Sequence, residues 1–482
     1  MCNPPEADTP YRHKWSLWNV FIEMEVTALA VSSTDVASGG ELQRGFGLST
    51  ATYVVIASMV GTGILVSPGY MMVVLKNYPV IFGLWALGGL LALCGALCVA
   101  ELAAALPRAG GEYVYLREAY GPMPAFLSGW TSFFLGFSAP LAVAAYIAAL
   151  YLLTPFQSSR DEAGLVVKIV AAVIIAMVTL PNLVGHRQSA WTQNLTTILK
   201  FGLFVVLVVA AFLFGKGRLA NMTEGQPARQ IGIGDAATQL FYVMFAYSGW
   251  NAASYLAGEV KNPAKTLPRS LLLGTGLVIL LYLAVNLAFA YAVPLDHVGF
   301  DNAEKIPQLA VENLFGARAS NVFMVALGLA FLATVSAFII TGPRIYYAMA
   351  KDGLFPSIAG YVSSQGRVPT YAMIAQSVCA IVILFVTDFQ NLYKYASVGL
   401  SVFALLFIAA VYVLRWRRPQ MERPFRVPGY PVVPGIFLAV ILFMTVFAFK
   451  QWPKPSLYSL GSILTGIPVY YIWSFIRRIK KI

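Results

Sequence analysis

About twelve runs of roughly twenty apolar residues punctuate this sequence, and a helix of that length spans a hydrocarbon core of about 30 Å. They fall at 48–74, 79–105, 123–153, 165–184, 191–215, 234–258, 268–293, 319–350, 370–388, 392–415, 432–450 and 456–476. Helices satisfy their own backbone hydrogen bonds, so they can lie in lipid without water. Of 482 residues, 59% are hydrophobic and 11% charged. Soluble domains average about 25% charged. So few charges cannot coat a water-soluble chain of this size, and the expected fold class is an all-α polytopic membrane protein.

The net charge of +12 does not point to nucleic acid, because the basic residues cluster between the apolar runs. With the N-terminus placed in the cytoplasm, 21 Lys and Arg fall on the inside and 10 on the outside, Lys168 and Lys200 being unassigned. That is the asymmetry of the positive-inside rule. The cluster Arg415, Arg417, Arg418, Arg423 and Arg426 then lies inside, as do both termini. Residues 1–45 read as a cytoplasmic tail without a cleavable leader, since Glu23 and Glu25 interrupt its apolar stretch. Met24 is an alternative start.

Spans 1 and 6 are interrupted. Span 1 carries Gly61-Thr62-Gly63 at mid-depth, and span 6 carries Phe245-Ala246-Tyr247-Ser248-Gly249-Trp250-Asn251. Small residues also occur at close helix crossings, so span 1 alone leaves the two readings even. Span 6 decides between them. It stands five helices further on, an odd number, so a second five-helix unit enters from the opposite side. Matching breaks in two halves mark the binding site of inverted-repeat transporters.

A break frees amide N–H groups at the start of one half-helix and carbonyls at the end of the other. These ends carry opposite partial charges, and a zwitterion has one group for each. An amino acid's carboxylate suits the amides of Thr62 and Gly63. Its ammonium suits carbonyls near Met59–Val60 and Phe245–Tyr247. Neither break contains a charged side chain.

Lys200 sits in the middle of span 5, where a charged lysine costs on the order of 3 kcal/mol. It is expected to face the bundle interior and to pair with backbone carbonyls or polar groups. The competing reading is a misplaced span boundary.

Five motifs in order resemble the amino acid–polyamine–organocation superfamily, nearest its L-type amino acid transporter branch. They are Val60-Gly-Thr-Gly-Ile64-Leu-Val-Ser-Pro, Pro107-Arg-Ala-Gly-Gly-Glu-Tyr-Val-Tyr-Leu-Arg117-Glu, and Phe245-Ala-Tyr-Ser-Gly-Trp-Asn with Glu259-Val-Lys-Asn-Pro263. Pro343-Arg344-Ile-Tyr-Tyr-Ala-Met-Ala-Lys-Asp-Gly-Leu-Phe-Pro356 and Arg423-Pro-Phe-Arg-Val-Pro428 complete the set. The resemblance implies a five-plus-five inverted repeat with helices 1 and 6 broken at mid-membrane, two further helices, and alternating access. The corresponding segments are 46–216 (spans 1–5), 232–416 (spans 6–10), 430–476 (spans 11 and 12) and a cytoplasmic tail at 477–482.

The resemblance also implies the site. Substrate contacts are expected from Met59, Val60, Gly61, Thr62, Gly63, Ile64, Phe245, Ala246, Tyr247, Ser248, Gly249, Asn251 and Asn286, with Phe245 as an aromatic gate. Lys200 matches a lysine that sodium-independent relatives place where sodium-coupled ones bind Na⁺. The expected coupling is therefore proton symport or exchange. Heavy-chain-dependent animal members carry a cysteine after span 3; here Gln157-Ser-Ser-Arg160-Asp-Glu has none. No disulfide-linked heavy chain is expected.

Glu101 and Glu259 end spans 2 and 6. They suit an inner gate with Arg117, Lys261 or Arg344, or else solvated helix ends. Cys94 and Cys98 share a helix face as packing residues, and no metal or cofactor is expected. Asn221-Met-Thr223 is a glycosylation triplet in an expected outer loop. Enzymatic motifs H-E-x-x-H, G-x-S-x-G and the P-loop are missing from the sequence. The expected function is a plasma-membrane permease for amino acids, with neutral L-amino acids the default because the breaks hold no acid. Polyamines, modified amino acids and a sensor role are the alternatives.

Overall fold

The computed structural model describes residues 42–156, 163–184, 186–223, 225, 227, 231–300, 302–364, 367–386 and 389–479. The expectations for residues 1–41 and for the 157–162 loop lie outside this set. The described chain is almost wholly helical, with isolated bridges (Phe46 to Val260, Asn77 to Gly225) in place of sheet.

The first span comprises α1 (Leu48–Met59) and α2 (Gly63–Leu75). Next come α3 (Tyr78–Ala105), the short α4 (Glu112–Tyr120) and α5 (Pro122–Thr131). A π-helical turn at Ser132–Ser138 joins α5 to α6 (Ala139–Leu153) as one long span. Helices α7 (Ala163–Val184) and α8 (His186–Phe214) complete the first half. The sixth span is α9 (Ile233–Ala246) and the single turn α10 (Ala252–Tyr255). It is followed by α11 (Pro263–Ala292), α12 (Ile306–Phe315), α13 (Ala317–Thr341) and α14 (Pro343–Lys351). The chain ends with α15 (Thr370–Val386), α16 (Phe389–Arg417), α17 (Val432–Gln451) and α18 (Pro453–Ile479).

Among the described residues, ten helices are long and apolar enough to cross a membrane. The other two expected spans are α9, cut to 14 residues by its break, and the 17-residue α15. Together they account for the twelve.

Local sequence explains the helix ends. Asn77 caps α3, its side chain accepting from the Val80 N–H at 2.8 Å, with Pro79 in the first turn. Such a cap contributes about 1 kcal/mol. Gly121, at φ +97°, makes the sharp corner between α4 and α5.

Spans 1 and 8 are the most enclosed helices, whereas α7, α8 and α18 are mostly uncovered. Met177, Leu180, Val206 and Leu213 project from the outer helices. An apolar belt of this extent needs lipid to cover it. In the interior, α11 packs on α3 and α1, and α13 packs on α6 and α8. In the sixth span, α9 packs on α2, α3 and α17.

Candidate functional site

Both breaks form where glycine permits them. Helix α1 stops at Met59, and Val60 leaves helical geometry at ψ 84°. Gly63 opens α2, backed so closely by Ala246 that no side chain fits between them. In span 6 the helix ends at Ala246, and Gly249 takes φ +99°, which L-residues rarely adopt. A Cβ on Gly249 would meet the Ser58 backbone carbon at 2.8 Å. The unwound stretch of span 6 therefore lies against the last turn of α1, beside the break in span 1.

A cavity of about 170 Å³ lies at this meeting point. Its wall includes Met59, Gly61, Thr62, Gly63, Phe245, Ala246, Ser248, Gly249 and Asn251. Among the described residues nothing accepts from the Thr62 or Gly63 amides. They begin α2 and carry its positive end. Leu400, Phe407, Phe437, Ile441 and Met444 supply an apolar side to the cavity. Trp250 also lines it, tilted against the Phe407 ring and edge-on to Phe437.

Four expected contacts stand elsewhere. Ile64 is fully buried off the wall. Tyr247 points away, its hydroxyl donating to the Trp85 carbonyl at 3.2 Å. Asn286 bonds back into its own helix, donating to the Tyr282 carbonyl at 2.8 Å. The Val60 carbonyl is already occupied. It accepts from the Lys200 ammonium, and from the Thr334 hydroxyl at 3.1 Å.

Lys200 is completely buried. Its Nζ also donates to the Ala57 carbonyl at 3.0 Å and to Thr334 Oγ1 at 2.7 Å. The ammonium thus ties span 5 to the frayed end of α1 and to span 8. The misplaced-boundary reading fails. A lysine donates from three N–H groups, and three acceptors are present.

Tyr282 was not legible as a site residue. Its hydroxyl lies 2.6 Å from the Met59 carbonyl and 3.0 Å from the Ala246 carbonyl, so its one proton is shared between carbonyls of the two breaks. Two of the carbonyls expected for a substrate ammonium are therefore held by α11.

Glu112 was missed as well. The expectation that no acid adjoins the site is corrected: this carboxylate lines the cavity. It accepts from Ser132 Oγ at 2.8 Å and Ser128 Oγ at 3.2 Å. Ser132 belongs to the π-helical turn, a distortion common at functional sites.

The acids at the helix ends are buried, so neither is a solvated charge. Glu259 pairs with Arg344, whose Nε and Nη2 donate at 2.7 and 3.0 Å. Glu101 accepts from Arg415 Nε at 2.9 Å and from the Val427 N–H at 2.7 Å. It thus links span 2 to span 10 and the loop beyond, whereas Arg117 pairs with Asp352. The segment just before α1 also meets Glu259: the Gly45 and Phe46 amides donate to the Glu259 carbonyl.

Among the described residues no His, Cys, Asp and Glu cluster could hold a metal ion. Cys94 and Cys98 are buried and unbonded, as packing residues. Asn221 is buried and donates to the Tyr291 carbonyl at 3.4 Å, so the triplet is no accessible glycan acceptor.

The chain is similar to known transporters along most of its length. It is 28% identical over 443 residues to the b(0,+)-type amino acid transporter 1 of Mus musculus, covering 90% of this chain and 89% of that one. It is 27% identical to the cystine/glutamate transporter of Homo sapiens, with 90% and 86% covered. It is 26% identical to the human large neutral amino acids transporter small subunit 2, with 92% and 83% covered. The family model described as amino acid permease matches residues 46–473. Two broken spans facing one cavity and a match of that extent lead to one conclusion: the chain belongs to the amino acid permease family and is a transporter, not an enzyme.

Proposed function

We propose that this chain is a secondary active permease for neutral L-amino acids, working by alternating access without sodium. The observation that carries the reading is the contact between the two breaks. It leaves the Thr62 and Gly63 amides facing a cavity without protein acceptors. A substrate carboxylate there would complete the first turn of α2. The ammonium would lie against span 6 near Phe245 and Ser248. A polyamine has no carboxylate to offer these amides.

The apolar side formed by Leu400, Phe407, Phe437 and Met444 supports a neutral substrate side chain. Lys200 supports sodium independence. Its ammonium already sits among the Ala57 and Val60 carbonyls and Thr334, where a free cation would otherwise be needed. Phe245 on the cavity wall and the Glu259–Arg344 pair are the two candidate gates. Residues 46–216 and 232–416 are the two oppositely inserted repeats of a plasma-membrane protein, and the excess of basic residues on one side supports cytoplasmic termini. With no cysteine at 157–162, the chain works without a disulfide-linked partner there.

Competition uptake in proteoliposomes tests this. A labelled neutral amino acid should enter and be displaced by other neutral ones, at equal rates with sodium or N-methylglucamine outside. Binding without flux would make the chain a sensor. An obligatory sodium gradient would overturn the assignment of Lys200.

A further inference from the structure

We propose that Glu112 is the proton-binding site of the transport cycle, taking a proton from water on one side of the membrane and returning it to water on the other. The inference rests on the transport reading above and names the group that would couple it to a proton gradient.

Among the described residues, the other acids at the inner helix ends all have basic partners. Glu101 has Arg415 and Arg423, Glu259 has Arg344, Glu118 has Arg108 and Arg418, and Asp352 has Arg117. Glu112 is buried, as are Glu101 and Glu259, yet its partners among the described residues are hydroxyls: Ser128, Ser132 and Tyr255. A buried carboxylate without a cation is costly when ionised. Burial accordingly raises its proton affinity above the ordinary carboxylate range, against the pull of the three hydroxyls.

No neighbouring element supplies the missing charge. On its own helix Arg117 is committed to Asp352. On α14, Arg344 is committed to Glu259, and Lys351 is exposed over the Tyr347 ring. On α16, Arg415 holds Glu101 and Arg417 donates to the Ala119 carbonyl. α5 contributes only the serine Ser128. The other titratable neighbours are the phenols of Tyr115, Tyr255 and Tyr346.

What separates Glu112 from a merely structural acid is access. It lines the same cavity as the two breaks, so opening the cavity to water reaches it, and closing the cavity removes that water. The ionised form is favoured when the cavity is wet and the protonated form when it is shut. Closure therefore requires a bound proton, and no bond of the substrate changes.

The test uses the full chain in liposomes with a trapped pH-sensitive dye. Wild type should acidify the lumen as it takes up substrate. Its uptake should fall as pH rises past a midpoint, by at most about tenfold per pH unit for one proton. Glu112→Gln, fixed in the neutral form, should give uptake without acidification and a flat pH profile. Ser132→Ala removes a donor that favours the ionised form, so its midpoint should move to higher pH. A flat wild-type profile, or continued acidification by Glu112→Gln, overturns the proposal. If Glu112→Gln is inactive at every pH, the Ser132→Ala midpoint decides, and an unmoved midpoint overturns it. Absence of any substrate counterflow in wild type would instead sink the transport reading itself.

Discussion

Gly63 of span 1 presses directly on Ala246 of span 6: a Cβ on Gly63 would stand 2.3 Å from the Ala246 Cα. The obstacle is backbone, which cannot swing aside like a side chain. Overpacking of this kind costs about 1–3 kcal/mol. Gly63→Ala is therefore expected to push the breaks apart and weaken substrate affinity by about tenfold or more. A titration of purified protein by substrate-induced thermal shift checks this.

The hydroxyl of Tyr282 holds the Met59 and Ala246 carbonyls together. Tyr282→Phe keeps the ring against Trp85 and Tyr247 but removes the one O–H that reaches those two carbonyls. An unsatisfied buried group costs about 1–3 kcal/mol. The variant should melt at a lower temperature and show a raised KM, since the loss falls on both breaks at once.

Lys200→Ala should lower uptake by at least about tenfold, because it strips a donor from two buried carbonyls and Thr334, each worth about 1–3 kcal/mol. The purified variant should still bind detergent and elute as wild type in size-exclusion chromatography. Undiminished uptake would show that the ammonium has no part in holding the break.

Glu259 and Arg344 form a buried bidentate pair. Removing one partner strands the other, at about 3–5 kcal/mol. Glu259→Gln or Arg344→Ala alone should be markedly destabilised. The double variant Glu259→Leu with Arg344→Met should recover much of the loss. Melting temperatures of the three proteins read this out.

The parts of the site carried by short stretches of chain were legible in the sequence. Gly61-Thr62-Gly63 and Ser248-Gly249 announce a break because glycine at mid-span weakens a helix. Lys200 stands out as a charge in an apolar run. Tyr282, Glu112 and the π-helical turn at Ser132–Ser138 were not legible, because their roles arise only when α11, α4 and α5 are packed together. Asn286 shows the converse. A polar residue in a span invites a ligand role, but its amide donates back to the Tyr282 carbonyl within the same helix. Asn221 is related, since a triplet in a loop says nothing of burial, and here the asparagine is buried.

The most direct test is a cryo-EM structure of the protein with a neutral amino acid bound. A carboxylate oxygen should lie within about 2.7–3.2 Å of the Thr62 or Gly63 amide nitrogen, with the ammonium turned toward span 6. A substrate resting elsewhere, with both amides still unoccupied, would contradict the account.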